Sequence, residues 1–159
     1  MQFLAKRNLS INYFFFNQLP ESLIEPTSQY IILKYHSNIT SSAGTGTLNY
    51  QLQHEPIIVD ISILEYINSN YKYTEIIKSQ GDSMLPLIQE NSLIFVDTLD
   101  KNINSKNIYV VNVKGELFIK KIVFKDGLYL LRSLNQSYRD IKVKDFNVIG
   151  KVKGVLNRV

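Results

Sequence analysis

The sequence predicts a mainly β protein: a compact, largely antiparallel β-domain, a barrel or a sandwich, with a short N-terminal helical appendage. Three observations carry that expectation. The apolar share is 45% of 159 residues. It is drawn heavily from Ile, Val, Tyr and Phe, side chains that fit a pleated, half-buried surface. From residue 73 onward, short apolar runs recur at strand length. Two of the gaps between them, Lys114-Gly115 and Asp126-Gly127, are two-residue connections of the kind that close tight hairpins.

Along the chain, QFLAKRNLSINYFFF (2–16) reads as a short helix and a turn, with Ser10 capping a second helical turn that carries Phe14–Phe16. Residues 17–29, with Pro20 and Pro26, form a connector, and YIILKY (30–35) is a strand. SNITSSAGTGTLN (37–49) is almost entirely small and polar, so little of it can pack into a core, and a flexible exposed loop is expected. IIVDIS after Pro56 is extended. Asp60 then caps a short helix in which Ile61, Leu64, Glu65 and Ile67 fall at helical spacing. TEIIKS runs into a turn at Gly81. SLIFVDT (92–98), IYVVNV (108–113), ELFIKKIVF (116–124), GLYLLRS (127–133), DIKV and FNVIGKVKGVLNRV (146–159) complete the strands. The expected organisation is an appendage over 1–36, a loop over 37–50 and the β-domain over 51–159.

Composition removes several functions. There is no cysteine, hence no disulfide framework, thiol nucleophile or thiolate metal site. With only His36 and His54 present, a histidine-based triad or multi-histidine metal centre is not expected. Neither a metal nor a cofactor is called for, and both histidines read as surface or packing residues. The net charge of +4 is mild and spread along the chain, unlike the concentrated basic face of a protein that binds DNA by itself. No run approaches the roughly 18 apolar residues of a membrane span. The N-terminus lacks a signal-peptide layout, so a cytoplasmic protein without a membrane partner is expected.

The stretch QGDSMLPL (80–87) places Ser83 in a small turn after Gly81 and before Pro86. A serine hydroxyl needs a base to become a nucleophile. With histidine scarce, the common alternative is a lysine made neutral by burial, since desolvation disfavours its charged form. FIKKIV offers Lys120 and Lys121 on opposite faces of a strand. Alternation alone leaves both as candidates.

GDSMLPLIQENSLIFVD followed by GELFIKKI resembles the catalytic core of the LexA-type self-cleaving serine peptidases, which include lambda-type phage repressors and UmuD-like polymerase accessory proteins. The resemblance covers residues 40–157. It implies that Ser83 is the nucleophile and that Lys120, 37 residues downstream, is the general base. Family members cut their own chain at an Ala-Gly or Cys-Gly bond upstream of the serine. Ala43-Gly44 stands 40 residues upstream of Ser83, inside the loop read as flexible. The resemblance further implies an oxyanion hole from the backbone N–H groups of Ser83 and Asp82. Gly81 permits the turn, Pro86 stiffens its exit and Met84 packs beside the site.

As partners, the resemblance implies the chain itself as substrate, a homodimer with its interface in the last strands (146–159), and a RecA filament as trigger in an SOS-type response. LAKRNLSINYFFF is similar to the tail of a helix-turn-helix domain but too short to form one, so DNA is expected only through an upstream domain missing from this chain. The rival reading is a non-cleaving dimerisation module or UmuD-like accessory subunit. A signal-peptidase relative is disfavoured by the lack of an anchor.

Overall fold

A computed structural model describes residues 29–37 and 54–158. Its strands are β1 (Tyr30–His36), β2 (Glu55–Asp60), β3 (Thr74–Lys78), β4 (Leu93–Asp97), β5 (Ile108–Val113), β6 (Glu116–Lys125), β7 (Leu128–Arg132), β8 (Ile141–Val143) and β9 (Asn147–Leu156), with helix α1 (Ile61–Tyr66) after β2. The expected N-terminal helical turns, the aromatic run Phe14–Phe16 and most of the 37–50 loop lie outside the described residues.

Local chemistry accounts for the boundaries. Asp60 has extended backbone and its carboxylate accepts the Ser62 N–H at 2.9 Å, capping α1 as its sequence position suggests. Both two-residue hairpin turns have positive φ throughout, with Lys114 at 53°, Gly115 at 92°, Asp126 at 53° and Gly127 at 77°. That twist matches the flanking strands, which is why these turns favour glycine and small polar residues.

The strands join in one mixed sheet of order β2-β1-β3-β4-β9-β5-β6-β7-β8. Among the described residues the sheet is mixed rather than wholly antiparallel, because β1 runs parallel to β3 through Tyr35↔Ile76 and His36↔Ile77. The other pairs are antiparallel. The last long strand, β9, is inserted between β4 and β5, so both of its edges are already hydrogen-bonded. Strand addition along β9 is therefore closed to a second copy, so a dimer through 146–159 would have to use side-chain faces rather than a strand edge.

Alternation divides the buried residues among three clusters. Ile77, Met84, Ile88, Ile94, Val96, Ile108 and Val110 form one. Leu33, Val59, Leu64, Ile76 and Phe95 form a second, against α1. Tyr109, Val111, Ile122, Leu131 and Val143 form the third. The neighbouring residues Val110 and Tyr109, or Ile77 and Ile76, thus face different clusters. Strands β3, β4 and β5 are buried on both faces and form the rigid floor on which the site stands.

Candidate active site

The Ser83 turn belongs to the connection between β3 and β4, and its neck is closed by hydrogen bonds. Ser79 N–H donates to Ser92 C=O at 2.9 Å, and Asn91 N–H donates to Ser79 C=O at 3.1 Å. The buried Ser79 hydroxyl donates to Gln89 C=O at 2.6 Å and accepts the Ser92 N–H at 2.8 Å. Ser92 Oγ in turn donates to Asn157 Oδ1 at 2.8 Å. Buried polar groups that are fully paired rigidify their surroundings, so this neck fixes how the turn leaves the sheet.

Within the turn, Gly81 has φ +78°, a backbone that a side chain would strain. Leu85 N–H donates to Asp82 C=O at 3.1 Å and Ile88 N–H to Met84 C=O at 3.0 Å. Met84 and Ile88 insert into the first cluster and hold the turn down by burial. Pro86 follows Leu85 through a cis peptide bond. Among the described residues, the N–H groups of Asp82 and Ser83 make no hydrogen bond.

Strand β6 supplies the partner. Lys120 Nζ lies 2.5 Å from Ser83 Oγ, and Lys120 is only 5% exposed. Lys120 stands beside Tyr109 of β5 in register. Burial pushes its amine below the ordinary lysine value, because removing the ammonium from water disfavours the charged form. Lys121 points to the other side of β6, in register with Ile108 and Arg132. Tertiary packing thus separates two lysines that alternation left equivalent.

A cleft of about 380 Å³ opens over the pair, lined by Ser37 at the end of β1 and by Gly81, Ser83, Met84, Leu117 and Lys120 among others. The structure therefore brings together Ser83, Lys120, Gly81 and Met84. Ala43 and Gly44 lie outside the described residues. His36 and His54 stand apart from this cleft, with His36 Nε2 2.9 Å from Glu75 Oε2 and the two imidazole centroids 6.2 Å apart.

Two residues of the site escaped the sequence reading. In the loop between β7 and β8, Asn135 N–H donates to Ser83 C=O at 3.0 Å, and its side-chain amide donates to Asp82 C=O at 3.2 Å. The Tyr138 hydroxyl donates to the Asp82 carboxylate, and Lys120 Nζ sits 5.8 Å from the Tyr138 ring centroid. SLNQSYRD reads only as a polar turn, and no periodicity marks a loop that closes on a turn more than fifty residues earlier.

A mixed β-domain thus carries a buried lysine against a turn serine. Residues 36–153 match the model of the Peptidase S24-like family. The chain belongs to that LexA-type family. It is also similar to the repressor protein CI of Enterobacteria phage phi80, with 34% identity over 77 residues, covering 46% of this chain and 33% of the relative. The match thus spans about a third of that curated relative's length. These findings support a repressor or peptidase domain of the LexA kind, and no helix among the described residues is long and apolar enough to cross a membrane.

Proposed function

We propose that this chain is a self-cleaving Ser-Lys peptidase domain of a LexA-like or phage-repressor-like regulator, cutting its own Ala43-Gly44 bond. The observation that carries the reading is the 2.5 Å contact between Ser83 Oγ and Lys120 Nζ, with the lysine buried and its amine biased toward neutrality. A neutral amine can accept the hydroxyl proton that a charged one cannot.

In the proposed reaction, Lys120 Nζ takes the proton from Ser83 Oγ as the oxygen attacks the Ala43 carbonyl carbon. The resulting oxyanion is met by the N–H groups of Ser83 and Asp82, which carry no competing hydrogen bond among the described residues. Such donors contribute about 3 kcal/mol each in serine peptidases. The Ala43–Gly44 C–N bond then breaks, and the Lys120 ammonium returns its proton to the departing Gly44 amine. Water, deprotonated by Lys120, hydrolyses the Ser83 ester and leaves a carboxylate at Ala43.

Chain geometry permits the encounter. Ser37 lines the cleft, and Ala43 follows six residues later, a reach of up to about 20 Å. Small residues on both sides of the bond suit a narrow site that accepts a strand of its own chain.

The test is intact mass of the purified chain after incubation between pH 7 and 10. Cleavage should accelerate as pH rises through the Lys120 value, giving two fragments that meet at Ala43-Gly44. Ser83→Ala and Lys120→Ala should each remove essentially all cleavage. An intact chain at pH 10, with or without an activated RecA filament, would replace this reading with a non-cleaving interaction module. A RecA filament would act by shifting the population of the loop-engaged conformation. Self-association and repressor activity through an upstream DNA-binding domain belong to the same proposal.

A further inference from the structure

We propose that Tyr138 is a positioning residue for the lysine base: anchored by Asp82, its ring covers the Lys120 amine and keeps water from it. The inference deepens the self-cleaving reading and rests on it for the word base.

Two contacts fix the ring in place. The hydroxyl donates to the Asp82 carboxylate, one residue before Ser83, and the ring centroid lies 5.8 Å from Lys120 Nζ. Tyr138 is itself about half exposed, at 46%. Without an anchor, such a side chain would sample other rotamers and uncover what lies beneath. Asp82 supplies the anchor, and Asn135 holds the same turn by its backbone N–H to Ser83 C=O and its amide to Asp82 C=O. Tyr138 N–H donates to Asn135 C=O at 3.1 Å, so both residues move as one loop. The Asp82 carboxylate thus ties the Ser83 turn to the covering ring, and the Lys120–Ser83 contact ties the same turn to β6.

The ring has two opposing effects on the amine. A cation over an aromatic face is stabilised, whereas exclusion of water destabilises the same cation. We take exclusion as the larger effect, because Lys120 is buried and its amine is lowered by burial. The Tyr109 hydroxyl is committed to Asn102 C=O at 2.6 Å. Arg132 is paired with Asp140, Lys121 lies on the other side of β6, and Lys78 and Glu90 line the cleft. Asp82 reaches the site through Tyr138.

The test follows the Lys120 side-chain ¹³Cε resonance through a pH titration, in a Ser83→Ala background so that the chain stays whole. Tyr138→Ala should move the Lys120 midpoint upward, toward that of an ordinary lysine. Tyr138→Phe keeps the ring but loses the hydroxyl that Asp82 anchors, so its midpoint should also move upward, to lie between those of the parent and of Tyr138→Ala. An unmoved midpoint in Tyr138→Ala, with an unchanged amide spectrum elsewhere, overturns the inference. So does a Phe variant whose midpoint equals that of the parent, since the anchor would then have no effect. In the Ser83 chain, the pH–rate midpoint of cleavage should move upward in parallel. A uniform rate loss with a fixed midpoint would assign Tyr138 a merely structural role and also overturn it. Absence of cleavage at every pH would remove the self-cleaving reading alone, since the titration still decides what Tyr138 does.

Discussion

Lys120 carries a cost as well as a proposed role. In the unfolded chain its amine has the ordinary value of 10.5, and in the folded chain burial lowers it. The unfolded state therefore binds more protons than the folded one between those two values, and stability rises with pH across that window. Below the lowered value the penalty is at its full size. Lys120→Met keeps the length of the side chain and removes the charge, so it should raise the melting temperature by several degrees at neutral pH while abolishing cleavage. The gain should shrink as pH approaches 10.5, where the lysine is neutral in both states. Thermal melts of both chains over a pH series check this. An equal gain at every pH would mean that the lysine's charge is not the source of the cost. Such a trade of stability for a reactive group is common where a site needs an unfavourable residue.

Between elements, the join of β1 to β3 rests on few backbone partners, Tyr35↔Ile76 and His36↔Ile77. The His36–Glu75 contact at 2.9 Å adds a side-chain tie at the same point, where β1 hands over to the proposed cleavage loop. The hydrogen bond from His36 holds the Glu75 carboxyl below its ordinary 4.5, against the opposing effect of burial. Because the folded value is depressed, this contribution is present above pH 4.5 and is lost as pH falls through the lowered value. Glu75→Gln should therefore lower the melting temperature near neutrality and flatten the acid-side decline. Differential scanning calorimetry between pH 3 and 7 reads both effects. An acid-side slope identical to that of the parent would exclude Glu75 as its source.

For the whole molecule, the central placement of β9 demands irregularity. Its register against β4 shifts between Phe95 and Val96, and against β5 between Val110 and Val111, so it bends to follow both neighbours. Gly150 lies within this crossing. A methyl group there would meet Asp97 O at 2.4 Å and Val96 Cγ1 at 2.8 Å. The backbone oxygen cannot step aside without moving β4. Gly150→Ala should thus destabilise the fold by about 1–3 kcal/mol, the range of core overpacking, as read by urea unfolding. A change within a few tenths of a kcal/mol would show that β4 and β9 can separate locally at little cost.

Much of this architecture was legible because it is local. Strand alternation, the Asp60 cap and the hairpins at Lys114-Gly115 and Asp126-Gly127 depend on residues a few positions apart. The sequence by itself also determined the candidate pair, since Ser83 in its Gly-Pro turn and the two adjacent lysines needed only spacing and resemblance. Tertiary structure decided what depends on neighbours brought from far along the chain. It placed Lys120 and not Lys121 against the Ser83 turn, inserted β9 between β4 and β5, and set β1 parallel to β3. It also added Asn135 and Tyr138, whose side chains matter only once the loop after β7 closes over the turn after β3. The physical reason is the range of the forces involved. Backbone preference and alternation act between near neighbours, whereas burial of an amine is a property of everything that surrounds it.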